Sequence, residues 1–221
     1  MAKLYNGING PVSGRIGDLI FSSNKGVAYV KRAPKPSFKK PSDKQEIQRE
    51  KFGMAMRFLS PLGRILNESY RKINPKASGL NCATKQILAE AITGESPDLK
   101  IDFSKVSLIR GSLASPRLEM VYMGESNELL MSWPCAMSCN SYLNDELFAL
   151  IYCPSPQPNW HEIKSGILRA EQGGVIKLPN HLAGREIHIW LAYRSEMMDS
   201  FSESVYMGQV FTQKLNDHEN S

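Results

Sequence analysis

The sequence predicts an α+β protein in which an N-terminal β-hairpin and a helical hairpin precede an antiparallel β-sandwich. Residues 15–31 hold two short apolar segments separated by turn residues. Residues 42–94 repeat apolar side chains at helical spacing. After Pro97, short apolar segments recur at intervals of about ten residues, which is typical of a sandwich. The length of 221 residues and the hydrophobic content of 42% suffice for such cores and exclude a disordered chain or a disulfide miniprotein.

Residues 1–41 are predicted to form a glycine-rich β-hairpin followed by a basic, proline-rich connector. One strand is expected over residues 15–22 and its partner over 27–31, with turn residues between them. Prolines and basic residues are interspersed over residues 31–41. This composition excludes a helix and favours extended backbone.

Residues 42–98 are predicted to form a helical hairpin. Ser42 and Gln45 fit the capping-box pattern, so the first helix is expected to begin there. Its apolar stripe continues past Pro61, which predicts either a kink or a new helix with Ser60 as its N-cap. A second helix is expected over residues 77–93, with Gly94 as its stop.

Residues 99–215 are predicted to form the β-sandwich, and residues 216–221 a polar tail. Strands are expected over residues 105–109, 118–123, 128–133, 146–152, 161–169, 175–178, 186–193 and 204–211. Alternation places His188 and Trp190 on the face opposite Ile187 and Ile189. We expect the helical hairpin to cover that face, the alternative being an exposed contact surface.

Charge is distributed unevenly along the chain. Of the 27 Lys and Arg and the 22 Asp and Glu, residues 1–86 hold 17 basic and 5 acidic residues, a net charge of +12, and the rest has a net charge of −7. This asymmetry indicates either an anionic partner for the first part or docking of the two parts on each other.

A group of basic residues in the first part is the candidate anion-binding or partner-binding site. On one continuous helix, the four arginines would share a stripe opposite the apolar face, and the lysines precede them in the connector. Such a surface could follow a phosphate backbone, or it could be a solvated helix face that Pro61 divides. The candidates are Lys35, Lys39, Lys40, Arg49, Arg57, Arg64 and Arg71.

The cysteines predict no disulfide framework. Four cysteines are too few for one, and the absence of an apolar signal segment at the N-terminus predicts a cytoplasmic protein with reduced thiols. Cys135, Cys139 and Cys153 together with His161 could nominally bind zinc, but their spacing is unlike that of structural zinc sites, so buried or idle thiols are expected. We therefore expect no metal and no cofactor. No apolar segment is long enough to span a membrane.

No catalytic motif is present, so a noncatalytic protein is expected. The glycines over residues 14–17 precede an apparent strand rather than a helix and therefore do not fit a phosphate-binding loop. The histidines belong to no hydrolase or metalloprotease pattern. A hydrolase on a sandwich scaffold is the less favoured alternative.

Two resemblances accompany these predictions. Leu129-Leu130-Met131-Ser132-Trp133, residues 182–193 and residues 202–206 resemble strands of a fibronectin type III or immunoglobulin-like domain, which implies a sandwich over residues 116–210. Ile187 stands where such domains commonly place a tyrosine. Nearly the whole chain resembles an uncharacterised bacterial family, frequent in Bacteroidota, that implies no activity. The matching residues are Met1-Ala2-Lys3-Leu4, Asn6-Gly7, Gly14-Arg15-Ile16-Gly17, Arg32, Pro34, Phe58-Leu59-Ser60-Pro61-Leu62, Ile101-Asp102-Phe103-Ser104-Lys105-Val106 and Arg110-Gly111.

The favoured functional hypothesis is a noncatalytic protein-interaction or assembly component. Its basic N-terminal region would bind a protein, either another copy, as in a phage-like particle, or a different chain, and the sandwich would serve as a binding module. The alternative is a nucleic-acid-binding protein that uses the basic first half on phosphates.

Overall fold

The computed structural model describes residues 2–4, 13–24, 26–35, 40–124, 127–134 and 143–213. These residues form two compact units, residues 1–42 and residues 43–221. The division falls one residue after the predicted end of the N-terminal hairpin and connector. The second unit contains both the predicted helical hairpin and the predicted sandwich. The predicted tail over residues 216–221 lies outside the described residues.

The first unit is a four-stranded antiparallel sheet rather than a simple hairpin. Its strands are β1 (Ala2–Leu4), β2 (Gly14–Ile16), β3 (Leu19–Asn24) and β4 (Val27–Arg32), in the order β1-β4-β3-β2. The predicted strand over residues 15–22 is wrong, because a turn at Gly17 divides it into β2 and β3. Gly17 has a φ of +58°, a left-handed conformation that glycine adopts readily.

The helical part of the second unit has three helices, and the interruptions between them lie near the predicted positions. They are α1 (Asp43–Leu59), α2 (Gly63–Tyr70) and α3 (Gly79–Gln86). A 3-10 turn over Ser60–Leu62 separates α1 from α2 at Pro61, and the apolar stripe continues past it, as predicted. Ser60 is not the cap, because the N-cap position of this turn is Leu59, which has no side-chain cap.

The second predicted helix, over residues 77–93, is shorter in its regular part. The Ser78 hydroxyl accepts a hydrogen bond from the Asn81 N–H and caps α3. A π-helical turn over Ile87–Ala91 follows α3, and the chain then enters β5 (Ile92–Thr93), which pairs with β6 (Lys100–Ile101). Gly94 follows β5 with a φ of +86°.

Two antiparallel sheets make the sandwich. One sheet contains β7 (Met120–Met123), β8 (Glu128–Ser132) and β11 (Gly173–Lys177), with β8 in the centre. The other contains β9 (Glu146–Cys153), β10 (Asn159–Leu168), β12 (Glu186–Ser195), β13 (Ser200–Phe201) and β14 (Val205–Phe211), with β9 and β12 in the centre. The α+β class and the antiparallel sandwich are therefore confirmed.

The predicted strand over residues 105–109 is wrong. Phe103–Lys105 form a 3-10 turn, and the residues after it belong to no sheet. The Ser204 hydroxyl accepts hydrogen bonds from the backbone N–H groups of Leu108 and Ile109, each at 3.1 Å. A side chain thus satisfies backbone groups that a neighbouring strand would otherwise bind.

The five-stranded sheet is buried on both faces. One face contacts the three-stranded sheet through side chains such as Leu147, Ile151 and Ile189. The other face packs against the helices, and there Trp190 and Trp160 join Phe58 in one core. The predicted covering of the Trp190 face by the helices is therefore confirmed.

Indole hydrogen bonds connect this sheet to α1 and to the irregular segment that follows Lys105. The Trp160 Nε1–H donates to the carbonyl oxygen of Phe58 at 2.7 Å, and the Trp190 Nε1–H donates to that of Val106 at 3.0 Å. Because both groups are buried, these bonds are necessary to compensate for lost hydration.

Candidate partner-binding surface

The N-terminal sheet has one predominantly apolar face. In the strand register, Ile16, Leu19 and Arg32 form one cross-strand row, and Phe21 and Val30 lie on the same face two positions away. Ile16 and Leu19 are 64% and 45% exposed. This face therefore presents apolar side chains to solvent.

The opposite face of the same sheet is mixed and basic. Arg15, Ile20 and Lys31 form one cross-strand row, and Tyr29 follows on the same face. The Arg15 Nε–H donates to the carbonyl oxygen of Gly17 at 2.9 Å, which holds the guanidinium over the turn. The sheet is thus amphipathic, with the positive charge mainly on one side.

No residue of the N-terminal unit is buried within its described ranges 13–24 and 26–35. The strands contain Ile, Leu, Phe, Tyr and Val side chains, but all of them are half-buried or exposed. A sheet of this size gains stability only when an apolar face is covered. Within its described ranges, this unit therefore has no buried core of its own.

The predicted basic residues lie in different environments. Lys35, Lys40, Arg49 and Arg57 are exposed, and Lys39 lies outside the described residues. The predicted arginine stripe requires one continuous helix, but the turn at Ser60–Leu62 places Arg49 and Arg57 on α1 and Arg64 on α2, while Arg71 follows the last residue of α2.

Two of the four arginines bind acidic side chains of the sandwich. The Arg64 Nη2 atom lies 2.7 Å from the Glu162 carboxylate on β10, and Arg71 forms an ion pair with Asp199. A third pair has the opposite arrangement, since Arg194 on β12 lies 2.7 Å from Glu68 on α2. Part of the charge asymmetry is therefore neutralised inside the second unit.

A buried ion pair that includes none of the predicted basic residues lies between the two sheets of the sandwich. Arg169 and Asp145 are 5% and 1% exposed, with 3.4 Å between the Arg169 Nη2 atom and a carboxylate oxygen of Asp145. Burial raises the pKa of Asp145, and the Arg169 charge opposes that change. The guanidinium also lies 3.9 Å from the centre of the Tyr193 ring and donates to the carbonyl oxygen of Ala114. The Arg169 guanidinium therefore contacts other residues of the sandwich.

The buried thiol of Cys153 and the buried imidazole of His188 lie on opposite faces of the five-stranded sheet. Cys153 is buried and unpaired, and Cys135 and Cys139 lie outside the described residues. His188 is buried; its Nδ1 atom lies 2.8 Å from the Tyr206 hydroxyl, and its Nε2 atom lies 3.3 Å from the Glu186 carboxylate. Nowhere in the described part of the chain do three or more His, Cys, Asp or Glu side chains converge as metal ligands.

The sequence of the chain identifies its family. The profile of the family of unknown function DUF6266 matches residues 11–208. The chain belongs to this family. No curated protein matches the chain. In the described ranges, no helix is long and apolar enough to span a membrane.

Solved structures similar to this DUF6266 chain include two human fibronectin type III domains. The fn3 domain of the collagen alpha-1(XX) chain is 13% identical, with a TM-score of 0.34 over 49% of this chain and 92% of that domain. The fn3 domain of contactin 1 is 12% identical, with a TM-score of 0.33 over 58% of this chain and 98% of that domain.

Proposed function

We propose that this DUF6266 protein is a noncatalytic assembly component of the cytoplasm whose N-terminal sheet binds a protein partner, a second copy of the chain being the partner tested first. The observation that carries the proposal is the exposed apolar face of the N-terminal sheet, defined by Ile16, Leu19, Phe21 and Val30. Covering this face would remove apolar surface from water and so favour association.

The charge balance supports a second copy as the partner. Residues 1–42 contain eight Lys and Arg against Asp18 as the single acid, whereas residues 43–221 contain 19 basic and 21 acidic residues. With net charges of +7 and −2, the first unit of one copy would be attracted to the second unit of another. Because the two surfaces differ, such contacts would be head-to-tail and would extend into rings or filaments.

The test is the oligomeric state of the full chain, measured by sedimentation velocity over a range of concentrations. We expect concentration-dependent association, and we expect the double variant Ile16→Lys with Leu19→Lys to abolish it. The matched control is Asn24→Lys with Val27→Lys, which adds the same charge to the same sheet at exposed side chains on its opposite face. The control should associate as the unmodified chain does.

Hydrogen exchange provides the second measurement. The amides of β2, β3 and β4 should exchange rapidly in the dilute chain and become protected on association, because the uncovered sheet lacks buried residues. A strictly monomeric chain with protected amides in these strands would contradict the proposal, since the sheet would then be stable without a partner.

The nucleic-acid alternative predicted from the sequence is tested separately. Arg64 and Arg71 already bind Glu162 and Asp199, which leaves Arg49 and Arg57 of the four arginines as exposed candidates without such a pair among the described residues. Fluorescence anisotropy of labelled DNA and RNA at about 50 and 200 mM salt would detect phosphate contacts, because affinity would fall by orders of magnitude. Saturable, salt-sensitive binding that Arg49→Gln with Arg57→Gln weakens would favour this alternative.

A further inference from the structure

Two histidines that are distant in sequence lie in contact on the surface of the second unit. His161 is on β10, and His181 is in the 3-10 turn Asn180–Leu182 that precedes β12. Their Nε2 atoms are 3.2 Å apart, and their ring centres are 4.6 Å apart. His181 is exposed and His161 is half-buried, so solvent reaches the pair.

The distance between the two Nε2 atoms matches the distance expected between two nitrogen ligands of one metal ion. Histidine nitrogen binds zinc at about 2.0–2.1 Å, which places two nitrogens in a tetrahedral shell about 3.3 Å apart. The observed 3.2 Å is close to this value. In the absence of metal, one imidazole can donate its Nε2–H to the other.

Two features of the surroundings lower the pKa of His161. Burial lowers the pKa of His161, and the nearby His181 lowers it further, because two positive imidazoles would repel each other.

We propose that His161 and His181 form a surface site for a divalent transition-metal ion such as Zn²⁺. Imidazole favours Zn²⁺, Cu²⁺ and Ni²⁺ over Mg²⁺ and Ca²⁺. Among the described residues no third His, Cys, Asp or Glu completes a closed site. Water would fill the remaining positions of a bound ion, which would leave the ion exchangeable and open to a further ligand. The site is independent of the N-terminal sheet.

The experiment titrates the full chain, free of any histidine affinity tag, with zinc sulfate. Isothermal titration calorimetry should show saturable binding of one ion per chain. His161→Gln and His181→Gln should each weaken binding by about tenfold or more, since changes even in outer-shell partners reach that scale. Both side chains lie at the surface, and thermal unfolding without metal confirms that each variant is folded.

Nuclear magnetic resonance of the imidazole groups locates the ion. The His161 and His181 signals should shift or broaden with zinc, whereas those of the buried His188 should not change. Magnesium sulfate is the control salt and should produce no shift. Absence of saturable zinc binding, or equal binding by both glutamine variants and the unmodified chain, would overturn the proposal.

Discussion

At the residue scale, Phe58 connects the helices to the sandwich. Its ring centre lies 4.9 Å from that of Tyr152 and 5.0 Å from that of Trp160, and its carbonyl oxygen accepts the Trp160 indole N–H. Phe58→Ala should lower the free energy of unfolding by about 3–5 kcal/mol, because it leaves a cavity in this core. Phe52→Ala is the control, since Phe52 is on the same helix and 50% exposed. Equal losses in chemical denaturation of both variants would contradict the role of Phe58.

His188 provides a pH-dependent prediction at the same scale. Burial lowers the pKa of His188, and the neighbouring Glu186 opposes that change. The folded protein therefore holds this imidazole neutral, whereas the unfolded chain takes up the proton near pH 6.5. The free energy of unfolding should thus fall as the pH drops below that value, and His188→Gln should make this fall less steep. Urea denaturation of both proteins between neutral and acidic pH measures the difference; equal slopes would contradict it.

At the element scale, α3 packs directly on the backbone of α2 at Gly79. A Cβ atom at Gly79 would lie 2.0 Å from the Leu66 carbonyl oxygen, so Gly79→Ala must displace one helix. We expect a loss of about 1–3 kcal/mol in the free energy of unfolding. Gly63→Ala is the matched control, because Gly63 also begins a helix and a Cβ there meets nothing within 4 Å. That control should be neutral or stabilising by about 0.4–1 kcal/mol, and the reverse order of the two variants in thermal denaturation would refute the packing argument.

At the scale of the whole molecule, residues 43–221 should unfold as one cooperative unit. The five-stranded sheet contributes to both cores, so neither core can form without it. Near-UV and far-UV circular dichroism of a chain of residues 43–221 should therefore give coincident transitions. A chain of residues 99–221 should fail to fold cooperatively, because it exposes Tyr152, Trp160 and Trp190. Cooperative folding of that shorter chain would instead support the predicted boundary between residues 98 and 99.

The sequence by itself determined the order of the elements and most of their positions. Period-two patterns located most strands of the sandwich, and helical spacing located the helices, because local burial imposes these periods. Trp190 and Ile189 could be assigned to opposite faces for the same reason. The prediction of a strand over residues 105–109 was wrong, because these apolar side chains are buried in an irregular segment that hydrogen-bonds to the Ser204 hydroxyl.

Only the tertiary structure decided which side chains meet. The pairs Arg64–Glu162, Arg71–Asp199 and His161–His181 join residues 98, 128 and 20 positions apart, and no local pattern encodes such contacts. Ion pairs occupy two of the four arginines of the predicted site, and the fold brings the two histidines together. Likewise, alternation in β3 and β4 indicated strands, but only the register showed that Ile16, Leu19, Phe21 and Val30 share an uncovered face. Sequence periodicity indicates which side chains are buried. Which side chains contact each other depends on how the whole chain folds in three dimensions.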